Sequence, residues 1–76
     1  MKRIVVHGWK INFDKVGFTK LLRNEFGYSL SEAKGITDGV LEKKSVTLEM
    51  EDYRLQGTAS KLEKLRASFD VDAEGS

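Results

Sequence analysis

Apolar residues recur along this chain with two different periods, and the switches between them mark out six elements. In the β-branched run Arg3 to Lys10, Ile4, Val6 and Gly8 alternate with Val5, His7 and Trp9, the two-residue period of a strand. From Asp14, a candidate cap, the period lengthens: Phe18, Leu21, Leu22 and Phe26 share one side of a helix, with Glu25 the only charged residue among them. Gly27 suits the left-handed end of that helix, and Ser29 with Glu32 has the spacing of a capping box for the next. The second helix is expected to bury Leu30, Ala33, Ile36 and Val40. A turn this short makes the two helices antiparallel neighbours.

Gly39 and the polar run Glu42 to Ser45 lead to a second strand, Val46 to Met50, with Val46, Leu48 and Met50 facing inward and Thr47 and Glu49 facing water. Asp52 is placed to cap a third helix with the stripe Leu55, Ala59, Leu62 and Leu65. Gly57 costs a helix about 1 kcal/mol relative to alanine, so a hairpin over Tyr53 to Leu55, with the helix delayed to Thr58 or Ser60, competes. The unbroken phase of the stripe favours the longer helix. Phe69 and Val71 then point inward in a short final strand, with Asp70 and Asp72 outward. The order β-α-α-β-α-β predicts a single α+β domain over residues 1–74, and Gly75 and Ser76 are set aside as a tail.

The water-facing side of the first helix is less ordinary. Val16, Thr19, Lys20 and Arg23 stack at helical spacing, so one apolar residue stands among cations. Lys34, on the far side of the second helix from its apolar stripe, can approach the same row. Lys15 in the first turn opposes the helix dipole by a few tenths of a kcal/mol, which hints at a use other than stability. Lys15, Val16, Thr19, Lys20, Arg23 and Lys34 together make a compact basic surface with an apolar centre, a pattern that by itself is more often a solvated face than a binding site.

Without a gap, Asp14 to Lys34 resembles the helix-turn-helix of the C-terminal domain of the bacterial large-subunit ribosomal stalk protein, the seven/twelve protein, through Lys15, Val16, Lys20, Arg23, Gly27, Leu30, Glu32, Ala33 and Lys34. The resemblance implies a central first strand antiparallel to both others in a three-stranded sheet, with all three helices on one face. It also implies a non-enzymatic domain that receives a translational GTPase, such as elongation factor Tu or G, or a similar acidic helical surface, on a protein-binding face formed by Lys15, Val16, Thr19, Lys20, Arg23 and Lys34. The stalk protein carries an N-terminal dimerising domain and a hinge; a complete chain of the present length would meet the same partners as a free competitor or adaptor. Thr19 stands where the family usually has isoleucine and Ser31 where lysine is common, which removes apolar area and one charge. The ClpS-type protease adaptor has a similar fold, but its acidic recognition segment and pocket histidine have no match here.

Composition narrows the alternatives. Thirteen Lys and Arg against twelve Asp and Glu leave a net charge of +1, so long-range attraction to nucleic acid is weak, direct nucleic-acid binding is not expected, and electrostatics are left to act locally. There is no cysteine and a single histidine, so disulfides and thiolate metal sites are excluded and no cofactor or transition metal is expected. No serine, cysteine or carboxylate is placed by motif near His7, so no catalytic dyad or triad is expected. Lys43, Lys44 and Ser45 echo a phosphate loop without its glycines. The longest aliphatic run, Ile4 to Val6, is too short to cross a bilayer, and a cytoplasmic protein without membrane contact is expected. A second reading, of another class, is a small regulatory or phage-type inhibitor that seizes one host protein through the open sheet face at Val5, His7 and Trp9.

Overall fold

Strand β1, Lys2–Trp9, is central in a three-stranded antiparallel sheet, with β2, Val46–Met50, on one side and β3, Ala67–Asp72, on the other. The computed structural model describes residues 2–72, and the expected tail, Gly75 and Ser76, lies outside the described residues. Helices α1, Lys15–Phe26, and α2, Leu30–Leu41, connect β1 to β2; a 3-10 turn, Asp52–Arg54, and helix α3, Leu55–Lys64, connect β2 to β3. This is the β-α-α-β-α-β order that the hydrophobic periods predict.

The helices cover one face of the sheet. Ile4, Val6, Leu48 and Met50 from the strands meet Phe18, Leu22, Ala33, Val40 and Leu62 from the helices in one fully buried cluster, closed by Ala67 at the start of β3. The other face holds His7, Thr47, Glu49 and Asp70 in solvent. Such a clean division follows from alternation in each strand.

Local chemistry sets the helix ends. Asp14 accepts from the Gly17 amide at 2.9 Å as the cap of α1. Gly27 ends α1 at φ 72°, and the Tyr28 amide reaches back to the Leu22 carbonyl at 3.3 Å. Ser29 and Glu32 make both bonds of the capping box, each 3.1 Å long. The third helix departs from expectation: Asp52 lies within the 3-10 turn, and α3 begins at Leu55 without a side-chain cap. It runs straight through Gly57, so the competing hairpin is not formed. Gly39, expected in the connection, lies inside α2, which continues to Leu41.

Two apolar residues expected in the core are exposed instead. Leu30 is exposed in the first turn of α2, whereas the polar Thr37, two turns on, is buried. Val71 is exposed on the edge strand β3, although Ile4, its partner on β1, is fully buried.

Glu25, the charge among apolar neighbours on α1, ties that helix to the third. Lys61 donates to its carboxylate at 3.1 Å, and Arg54 donates to both its carboxylate, at 3.2 Å, and its backbone carbonyl, at 2.7 Å. The Arg54 guanidinium also lies 5.5 Å from the centre of the Phe26 ring. The hydrogen bonds from Lys61 and Arg54 hold the Glu25 pKa below its ordinary value. A carboxylate lowered in the folded state contributes stability that is fully present above the unfolded value of about 4.3 and is lost as pH falls through the lowered one. Thermal unfolding followed between about pH 2 and pH 6 should therefore show a smaller acid-side loss of stability for Glu25→Gln than for the native chain. Superimposable pH profiles would show that the cluster adds nothing.

Candidate protein-binding groove

The seam between α1 and α2 opens to solvent as a groove of about 360 Å³ lined by Lys15, Val16, Thr19, Lys20, Arg23, Leu30, Lys34, Thr37 and Asp38. All six residues expected at the binding surface are in that lining. Val16 keeps 60% of its surface exposed and Leu30 46%, so two aliphatic side chains, not one, offer dry contact within a cationic rim. None of Lys15, Lys20, Arg23 and Lys34 makes an ion pair among the described residues. By contrast Arg54 and Lys61 are held by Glu25. Among the described residues the groove cations are left to solvent.

Its floor is hydroxyl chemistry. Thr37, 4% exposed, lies 2.9 Å from the Ala33 carbonyl and 2.8 Å from the Thr19 hydroxyl, which in turn lies 2.9 Å from the Lys15 carbonyl. Two hydroxyl protons serve three such contacts, so the Thr19 to Thr37 bond and only one of the carbonyl bonds form together. Thr19, where an isoleucine would have given apolar area, instead joins α1 to α2 at the mid-groove.

Asp38 is the one carboxylate in the lining. Neither it nor Leu30 nor Thr37 is among the site residues expected from the sequence. Spacing could have found Asp38, which stands one helical turn after Lys34. Periodicity assigns Leu30 to the core because it gives direction but not how far the core reaches along a helix.

The open-face patch does not exist as one surface. Pairing of β1 with β3 shifts register between Val6 and Gly8, so Trp9 stands opposite the fully buried Ala67. That bulge at His7 reverses the direction of the following side chain, and the Trp9 indole Nε1 donates to the Leu41 carbonyl at the end of α2, 3.0 Å away. His7 stays on the open face, 3.2 Å from the Asp70 carboxylate. Val5 and His7 are thus separated from Trp9, contrary to expectation. Strand glycines often mark bulges, and Gly8 is the available signal.

No group of three or more His, Cys, Asp or Glu residues able to hold a metal occurs among the described residues, and no helix among them is long and apolar enough to cross a membrane. No family model matches this chain, and no curated protein matches it significantly.

Replacing Thr37 by valine, close to it in shape, should lower the unfolding free energy by about 1 kcal/mol in denaturant titrations, since the bond between helices is lost while Thr19 keeps Lys15 as acceptor. A Thr37→Val variant as stable as the native chain would mean the hydroxyl pair does not hold the seam.

Proposed function

We propose that this chain is a non-enzymatic protein-binding domain of the ribosomal stalk type, and that its partner lays an acidic helical surface along the α1/α2 groove. The single observation that supports this most is the groove lining: four cations without ion-pair partners among the described residues surround two exposed aliphatic residues. A complementary surface carries carboxylates for Lys20, Arg23 and Lys34 and a small apolar residue for Val16 and Leu30. Arg23 offers a planar fork for a bidentate carboxylate contact, and the lysines offer point charges. Lys15, in the first turn of α1, lies toward the end of the groove that Asp38 also lines.

The in-register run from Asp14 to Lys34 makes a translational GTPase, elongation factor Tu or G, the first partner to test. In this reading the domain works in the cytoplasm and needs no cofactor. The inhibitor reading is weakened because its binding patch is divided by the bulge at His7.

Charge-pair contacts of this kind are rim-exposed, so they steer association and weaken as salt screens them. Calorimetry at low salt should detect binding of elongation factor Tu or G, weakening as salt rises. Lys20→Glu combined with Arg23→Glu should reduce affinity roughly 100-fold or more while leaving the circular dichroism spectrum unchanged. Absence of binding to either factor at low salt would remove the stalk-type reading, and binding unaffected by the two reversals would place it off the groove.

A further inference from the structure

At the end of the domain opposite the Gly27 turn, Trp9 is fixed and still 40% exposed, and Ile11, two residues on, is 80% exposed. Three turns converge there. The Lys10 amide donates to the Arg66 carbonyl at 2.8 Å, joining the turn after β1 to the turn before β3. Lys43, in the turn before β2, holds its ammonium 6.0 Å from the centre of the Trp9 ring. Asn12, Lys43 and Arg66 are the described non-glycine residues with positive φ, at 71°, 65° and 67°. All three left-handed positions therefore lie in these same turns. Two of the cations at this end, Lys43 and Arg66, thus stand at left-handed turn positions that the neighbouring structure holds. Lys10, Lys43 and Arg66 make no ion pair among the described residues. Of the carboxylates at this end, Glu42 is held by Lys44 at 3.4 Å, Asp14 accepts from the Gly17 amide, and Glu63 and Asp70 share a shallow cavity with Lys10, Asp70 lying 3.2 Å from His7.

We propose that this end of the domain, built on Trp9, Lys10, Ile11, Lys43 and Arg66, binds a short stretch of single-stranded nucleic acid. The cations match phosphates, and an indole with its N–H already satisfied offers a ring for base stacking without needing a polar partner. Duplex is disfavoured because its bases are stacked on one another. An anionic membrane matches the charge equally, but the indole is tied to Leu41 and only Ile11 is free to insert. The net charge of +1 removes long-range steering and leaves this local contact intact. The surface is separate from the α1/α2 groove, so neither proposal depends on the other.

Trp9 is the only tryptophan, and its fluorescence reports directly. Titration with a ten-nucleotide oligothymidylate or oligouridylate at low salt should quench it. Three neutralised phosphates give a log-log salt slope of about −2, an affinity loss of about 18-fold between roughly 50 and 200 mM salt. Lys10→Glu with Lys43→Glu should weaken binding more than about 10-fold, whereas Lys20→Glu with Arg23→Glu should leave it unchanged. Amide chemical shifts of the native chain, needing no variant, should move at residues 9–12, 43–44 and 66. No quenching and no shifts at low salt would overturn the proposal. So would shifts confined to α1 and α2, or a response to phosphatidylcholine/phosphatidylglycerol vesicles without one to the oligonucleotides.

Discussion

The closeness of α1 and α2 is the constraint from which the surface chemistry of this domain follows. Gly27 in the left-handed region reverses the chain within three residues, and the Ser29/Glu32 box starts the next helix at once. With so little connecting chain, the helices can only lie side by side, and the Thr19 and Thr37 hydroxyls meet between them at 2.8 Å. Phe18, Leu22, Ala33 and Val40 anchor the pair to the sheet. Their burial leaves the outer sides of both helices no choice but solvent, and Val16, Lys20, Arg23 and Lys34 are brought to one rim. A longer or looser turn would keep the core and lose the groove.

A division of labour runs through the charges. Where a charge borders the core it is neutralised internally: Glu25 receives Arg54 and Lys61 and couples α1 to α3, which is how a carboxylate survives beside Phe26 and Leu22. Along the groove the cations have no such partner among the described residues. Exposed lysines by themselves are commonplace. Here the charges flank two exposed aliphatic side chains, Val16 and Leu30, in the lining of one groove.

Features governed by neighbours in sequence are legible in the residues alone. The caps at Asp14, Gly27 and Ser29, the buried row Phe18, Leu21 and Leu22, and the alternating strand Val46 to Met50 all depend on spacing of a few residues. Features governed by distant contacts are not. Leu30 has the right phase for the core but sits a turn beyond its edge, and Thr37 looks polar yet is buried because Ala33 and Thr19 satisfy its hydroxyl. Simple alternation puts Trp9 on the wrong side because the bulge at His7 depends on how β3 pairs with β1, a register no single strand encodes. The six expected site residues come together because all belong to one helical hairpin whose geometry is local.

Whether the α1/α2 groove receives a protein can be read residue by residue. Backbone amide mapping of the labelled domain as GTP-bound elongation factor G is added tests it most directly. A landing surface in the groove predicts broadening or shifts that begin at residues 15–23 and 30–38 and leave β2, β3 and α3 unmoved. Perturbations centred on the sheet, or a spectrum unchanged at saturating factor and low salt, would contradict it.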